Sequence, residues 1–293
     1  MNFSEQQLIN WSKPVSTSED QICKNAISEI TSALRAKFGD KVTIFLQGSY
    51  RNNTNVRQNS DVDIVMRYDD VYYSDFQRLT ATDEAIVRSQ QIPAQYKFED
   101  LKNDTEAALV AAFGKDVERR NKCIQVNGNT YRITGDVIPC FVLKRYRSVN
   151  SIEAEGIKFF TDKWDTVISF PNQHYNNGTT KTQNTFRLYK RMVRVLKVMN
   201  NRLIDQKVIS DKLASSFFIE CLVYNVPDSE FVSGNYNQTL KNVMIKIYKD
   251  MEVNANYIEV SGLMWLFKSD YPRTRKDAMD FIQACWIFAG YNQ

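Results

Sequence analysis

The feature that most limits what this chain can become is an apolar run, Val42-Thr43-Ile44-Phe45-Leu46, that leads through Gln47 to Gly48-Ser49-Tyr50 and is followed by Asn59-Ser60-Asp61-Val62-Asp63-Ile64-Val65-Met66. The first run reads as a short buried strand ending at the Gly-Ser pair, and Val62 to Met66 reads as a second strand carrying two carboxylates into its first half. Strand side chains alternate faces, so Asp61 and Asp63 project from one face while Val62 and Ile64 enter the core. Two carboxylates that close repel unless a proton or a cation is shared, and a hard divalent ion such as Mg²⁺ is the usual answer. Gly48 lets a ligand approach the backbone, and the Ser49 hydroxyl with neighbouring amides can donate to phosphate oxygens. Alone, an Asp-x-Asp is most often solvated surface and a Gly-Ser most often a turn. A Gly-Ser at a strand end, twelve residues before Asp-x-Asp at the head of an apolar strand, favours the functional reading.

That pattern resembles the nucleotidyltransferase superfamily of DNA polymerase beta. The resemblance implies a nucleoside triphosphate and two metal ions held between such a loop and such a strand, with a third carboxylate on an adjacent strand. The candidate is Asp136, in the apolar, charge-poor stretch from Tyr131 to Leu143. An Asp in a β-rich run opposes strand propensity and invites a functional reason. Pro139 is expected to end the central part of this strand or mark its edge.

The 293 residues, 43% of them hydrophobic, suit one large or two medium domains with a real core. No apolar run approaches membrane-spanning length, and the first residues lack the basic and apolar regions of a signal peptide, so a cytoplasmic protein with no membrane partner is expected. The five cysteines (Cys23, Cys123, Cys140, Cys221, Cys285) are widely spaced among apolar neighbours, which suits free buried thiols. His174 is the only histidine, arguing against a histidine-rich metal site and a histidine base; it reads as a loop residue without catalytic role.

Residues 17–38 read as a helix, capped by Ser18, striped by Ile22, Ala26, Ile27, Ile30 and Leu34, and stopped by Gly39. Residues 72–113 are polar and mixed, with a helical pattern from Leu101 to Phe113 ended by Gly114, and look like a peripheral insertion. Ile124-Gln125-Val126 and Tyr131-Arg132-Ile133 flank Asn127-Gly128-Asn129, a turn signal for a hairpin leading into the Asp136 strand. From about residue 160 long helical patterns take over. They include an apolar helix from Leu213 to Tyr224 closed by Asn225-Val226-Pro227, and further helices over Thr239–Met251 and Lys276–Ala289.

The helix from Asn184 to Asn200 has two faces. At 100° per residue, Arg187, Lys190, Arg191, Arg194 and Lys197 fall within an arc of about 120°, opposite an apolar face. Between Asp165 and Asp205 there are seven Lys or Arg and no acid, although the chain nets only +4. Solvated helix faces usually intersperse acidic partners, so a polyanion, either triphosphate or a nucleic-acid backbone, is the expected occupant.

Gln47-Gly48-Ser49-Tyr50-Arg51-Asn52-Asn53-Thr54-Asn55, Asn59-Ser60-Asp61-Val62-Asp63, Tyr175-Asn176-Asn177-Gly178, Arg187 to Arg194 and Glu220 to Ser229 together resemble the bacterial cGAS/DncV-like nucleotidyltransferases (CD-NTases), clade E, the CdnE enzymes, over nearly the whole chain. The resemblance implies an α+β fold: a polymerase-beta-like core of mixed sheet and helices over residues 1–160, then a helical bundle over 161–293, with the nucleotide in the cleft between them. It implies Mg²⁺-dependent synthesis of a cyclic dinucleotide from two NTPs through a linear intermediate, with pyrophosphate released, for anti-phage (CBASS) signalling through a separate effector protein. It places Asp61, Asp63 and Asp136 on two Mg²⁺ ions, with Asp136 helping to activate the attacking 3′-hydroxyl, and Gln47, Gly48, Ser49, Lys190 and Ser216 on the nucleotide. The same core also serves enzymes that add nucleotides to RNA or protein, so those readings stay open, although stable nucleic-acid binding is not expected.

Base choice turns on Ser169, in Val167-Ile168-Ser169-Phe170-Pro171. Pyrimidine-using clade E enzymes carry Asn at the corresponding position, and purine-using relatives tend to carry Ser. Asn offers a donor and an acceptor at fixed separation, matching uracil, whereas Ser is shorter with one rotatable hydroxyl. A cyclic dipurine, foremost cyclic di-AMP, with ATP preferred and GTP tolerated, is therefore expected; a uridine-containing product such as cyclic UMP-AMP is the alternative.

Overall fold

The structure is a computed structural model that describes residues 3–14, 16–56, 61–268 and 272–291. Asn59 and Ser60, part of the acidic-strand motif, lie outside the described residues. The elements run α1 (Glu5–Trp11), α2 (Thr17–Phe38), β1 (Val42–Gln47), α3 (Gly48–Arg51), β2 (Val62–Asp75), α4 (Ala81–Ser89), α5 (Phe98–Phe113), β3 (Val117–Arg119), β4 (Ile124–Val126), β5 (Gly135–Ser148), β6 (Ser151–Phe160), β7 (Thr166–Ser169), α6 (Pro171–Asn184), α7 (Leu188–Asp205), α8 (Ser216–Tyr224), α9 (Tyr236–Glu252) and α10 (Arg275–Phe288). The chain divides into two compact units. One holds residues 17–50 and 61–171, and the other holds 1–16, 51–60 and 172–293. The division falls at residue 171 rather than 160, and α1 and the segment after the Gly-Ser loop belong with the helices.

The sheet unit contains, among the described residues, seven strands in the order β1-β2-β5-β4-β3, with β6 on β5 and β7 on β6. β1 and β2 are antiparallel, whereas β2 and β5 run parallel, which makes the sheet mixed. Helix α2 forms where expected because Cys23, Ala26, Ile30, Leu34 and Phe38 recur every three or four residues and are all buried. Burying Ile30, Leu34 and Phe38 stabilises by about 1.5–3 kcal/mol each. Gly39 ends the helix with φ +57°, a conformation that costs glycine nothing. The helix starts at Thr17, so Ser18 lies inside its first turn instead of capping it.

Other expectations are corrected by the structure. β2 continues past Met66 to Asp75 because β5 pairs with it again beyond a register shift between Tyr68 and Tyr72. Residues 72–113 are not peripheral, since Phe98, Leu101 and Leu109 of α5 lie in the same buried cluster as Ile64, Met66 and Phe141. Tyr131 to Ile133 is no strand: Asn129 Oδ1 accepts from the amides of Tyr131 and Arg132, forming a side-chain turn, and pairing of β4 with β5 resumes only at Gly135. Pro139 neither ends β5 nor lies at a sheet edge, since β5 runs on to Ser148 and pairs with β2 through Met66↔Pro139; only on its other side does the partner change there. β4 pairs with β5 only as far as Val137, and β6 takes over at Phe141.

The helical unit is built around α7, whose Leu188, Tyr189, Met192, Val193, Leu196, Met199 and Leu203 are buried with residues of α8, α9 and α10. α8 begins at Ser216 rather than Leu213, because Ser215 caps it by accepting from the amide of Phe218 at 3.3 Å. All five cysteines are free, and only Cys123 is not fully buried. No helix among the described residues is long and apolar enough to cross a membrane.

Candidate active site

Strand register assembles the carboxylates. Gln47 of β1 lies opposite Asp63 of β2, Asp63 opposite Asp136 of β5, and Asp136 opposite Gln125 of β4. Residues directly opposite on neighbouring strands share a face, so four strands present one row, glutamine, aspartate, aspartate, glutamine. Asp63 and Asp136 are thereby neighbours across one strand spacing of about 4.8 Å. Val62 and Ile64, on the other face, are fully buried, as alternation requires.

Asp61 sits just before the first residue of β2. Partial enclosure of its carboxyl, reinforced by the charge of Asp136, raises its pKa. Asp136 Oδ1 accepts from Gln125 Nε2 at 3.0 Å. Nearby, burial pushes the Cys123 thiol up to about 12, with the negative charges of Asp136 and Asp63 adding to it. Among the described residues no three His, Cys, Asp or Glu side chains already converge on one point as a finished metal cage. The donor set nevertheless fits a hard divalent cation: every candidate ligand is a carboxylate oxygen, and Asp63 and Asp136 sit side by side across one strand spacing.

Gly48 is the tightest constraint on this face. Its φ is +68°, and a Cβ there would stand 1.9 Å from Asp63 Oδ2. The loop therefore packs a bare Cα against the carboxylate, which no other residue permits. Ser49 follows in the single turn of α3, and the hydroxyl of the next residue, Tyr50, donates to Asp20 Oδ1 of α2 at 2.6 Å. Ser169 closes β7 opposite Ile157 of β6, and Gly156 beside it leaves room for the Ser169 carbonyl, which a Cβ would approach to 2.6 Å.

In the helical unit the basic face of α7 is not an open polyanion surface. Arg194, 5% exposed, donates to the carbonyls of Ser12 and Asn53. Lys197, 3% exposed, donates to the carbonyl and hydroxyl of Thr54. Arg191 donates to the Tyr236 hydroxyl, and Arg187 sits before the helix at φ +64°. Arg194 and Lys197 clasp backbone rather than phosphate, and Glu220 of α8 sets a negative charge near Lys197. Lys190 differs: half-buried, its Nζ lies 5.6 Å from the Tyr175 ring, which Arg51 also covers at 5.1 Å. Burial lowers the Lys190 pKa, although Glu220 partly offsets it. Ser216 is the exposed first residue of α8, where unpaired helical amides suit an anion.

His174 is a helix residue of α6, not a loop residue, and its Nε2 lies 3.1 Å from Glu220 Oε1. An ionised carboxylate only accepts, so Nε2 carries the proton. Thr54 Oγ1 adds a donor at 3.2 Å. Sequence reasoning gave Gln125, Tyr175 and Glu220 no role in the site. Gln125 was within reach, since a polar residue between Ile124 and Val126 must face the side opposite the core; the pairing of Glu220 with His174, 46 residues away, leaves no local trace.

Comparison with known proteins agrees with this division of labour. Residues 27–107 match the nucleotidyltransferase domain family, and residues 176–290 match the cGAS/DncV-like nucleotidyltransferase C-terminal helical domain. The chain is 67% identical over 291 residues to a cyclic dipurine nucleotide synthase of Elizabethkingia meningoseptica, covering 99% of this chain and 100% of that protein. It is 36% identical to a cyclic dipyrimidine nucleotide synthase, CdnE, of Cecembia lonarensis, covering 97% of each. Among solved structures, that of the Elizabethkingia meningoseptica CdnE cyclic dinucleotide synthase with GTP and Apcpp matches with TM-score 0.87 and 64% identity, over 99% of this chain and 100% of that one.

Proposed function

The chain belongs to the CdnE clade of the cGAS/DncV-like nucleotidyltransferases, and we propose that it joins two purine nucleoside triphosphates through a linear intermediate into a cyclic dipurine, foremost cyclic di-AMP. The observation that carries the catalytic part is the register Asp63↔Asp136, with Asp61 two residues upstream and Gly48 pressed against Asp63. Asp61, Asp63 and Asp136 hold Mg²⁺, two ions in this reading, which when bound lower the pKa of the attacking 3′-hydroxyl and neutralise the leaving pyrophosphate. Asp136 orients the 3′-hydroxyl. Gln47, Gly48 and Ser49 lie along the triphosphate, the loop amides donating to its oxygens. Lys190 supplies a point charge to phosphate, and its lowered pKa reflects a partly desolvated ammonium that gains from a new anionic partner. Ser216 offers its hydroxyl and the first amides of α8.

Base choice rests on Ser169, whose backbone is fixed by pairing with β6 and whose short side chain lacks the two-point readout that uracil would need. The similarity to a relative named as a cyclic dipurine synthase supports the same reading. A protein or RNA acceptor loses its main support, since Arg191, Arg194 and Lys197 are engaged within the helical unit. The product acts on a separate effector protein in anti-phage signalling. Incubation with all four NTPs and Mg²⁺, phosphatase treatment and mass spectrometry test the proposal. A phosphatase-resistant cyclic dipurine dominated by AMP is expected; a chiefly uridine-containing product, or label in a macromolecular fraction, overturns it.

A further inference from the structure

Gln125 lies between two groups that demand opposite things of it. Its Nε2 donates to Asp136 Oδ1 at 3.0 Å, and its Oε1 accepts from Arg120 Nη2 at 3.2 Å. Arginine only donates and an ionised carboxylate only accepts, so the amide can face just one way round. A glutamate here would set carboxylate against carboxylate, and an apolar residue would leave Asp136 without this donor. The pair is delivered by register, since Gln125 is directly opposite Asp136. Arg120 is in turn steadied by Glu118 Oε2 at 2.8 Å.

We propose that Gln125, oriented by Arg120, is a positioning residue for the metal-binding carboxylates: it pins one oxygen of Asp136 so that the carboxylate keeps a single rotation and presents its other oxygen to the cation. The row of residues explains the economy of the device. Asp63 cannot hold Asp136 by hydrogen bonding, because both are acceptors; the donors come from its other side, the Gln125 amide of β4 and the Cys123 thiol just before that strand, and of the two only the amide is itself held in orientation by a further partner. Partners of this kind behind a metal ligand change metal affinity or activity by about 10- to 100-fold when removed.

This inference rests on the reading of Asp136 as a metal ligand, and the experiment separates the two. Gln125→Leu, Arg120→Ala, their double variant and Asp136→Asn are compared by Mn²⁺ binding to the nucleotide-free enzyme, followed by electron paramagnetic resonance, and by kcat, KM and thermal midpoint. Gln125→Leu is expected to weaken Mn²⁺ binding and lower kcat by about 10- to 100-fold with little change in KM or melting. Arg120→Ala shifts both the same way by less, and adds nothing once Gln125 is Leu, because Arg120 acts through it. Unchanged Mn²⁺ binding and kcat in Gln125→Leu, or losses that multiply in the double variant, overturn the proposal. Should Gln125→Leu not fold, the exposed Arg120 decides: normal Mn²⁺ binding in Arg120→Ala overturns it. Full activity in Asp136→Asn defeats the catalytic reading itself, whereas an inactive Asp136→Asn beside a silent Gln125→Leu defeats only this inference.

Discussion

Replacing Glu220 tests whether the buried polar cluster of the helical unit is a stabilising structure. Glu220 is 3% exposed and accepts from His174 Nε2 at 3.1 Å and Thr54 Oγ1 at 3.2 Å, while the buried Lys197 ammonium donates to the Thr54 carbonyl at 3.0 Å. Burial by itself would raise the Glu220 pKa, but the His174 hydrogen bond and the charges of His174 and Lys197 outweigh it and hold the pKa below the usual value. Glu220→Leu removes two acceptor contacts and breaks the buried His174–Glu220 pair. Breaking such a buried pair costs about 3–5 kcal/mol. Glu220→Gln keeps an acceptor but not the charge, and should cost about 1–2 kcal/mol. At about 2–4 °C per kcal/mol, the Leu variant should melt about 10 °C lower by circular dichroism. The pH dependence has a definite sign. A carboxylate whose folded pKa lies below its unfolded value of about 4.3 contributes fully above that value, and the contribution disappears as pH falls through the folded pKa. The part of the stability gap between wild type and Glu220→Gln that comes from the Glu220 carboxylate should therefore close as pH falls below about 4. A Leu variant within about 1 kcal/mol of wild type in urea unfolding at pH 7, or a gap that widens in acid, would refute this account.

Gly48→Ala should cost about 1–2 kcal/mol for the left-handed backbone and, because the new methyl meets Asp63 Oδ2, should lower product formation about 100-fold in a fold that circular dichroism finds intact. Lys190→Ala should raise KM for ATP about tenfold, as loss of a charged hydrogen bond does, while adenosine binding by calorimetry stays unchanged; equal losses would make Lys190 structural. Ser169→Asn should move the UTP/ATP incorporation ratio about tenfold towards UTP in competition assays, and an unchanged ratio would remove Ser169 from base selection.

Local pattern carried much of this protein. The helix Thr17–Phe38 and its stop at Gly39, and the strand that runs into Gly48, follow from periods of 3.6 and 2 and from backbone sterics acting within a few residues. The same motifs sufficed to place the chain in its family. What only the tertiary structure decided depends on partners distant in sequence. Strand pairing lengthened β2 to Asp75 and set Asp63 beside Asp136 and Asp136 beside Gln125. Register between strands is a property of two segments at once, so neither one encodes it alone. The basic face of α7 was misread for the same reason. An amphipathic pattern reports that cations share a side, but not what covers it, and here the carbonyls of Ser12, Asn53 and Thr54 fold over that side. A backbone carbonyl has no identity in a sequence, and any residue can provide one, so a lysine or arginine bound for such a partner looks identical to one awaiting a phosphate until the chain has closed around it.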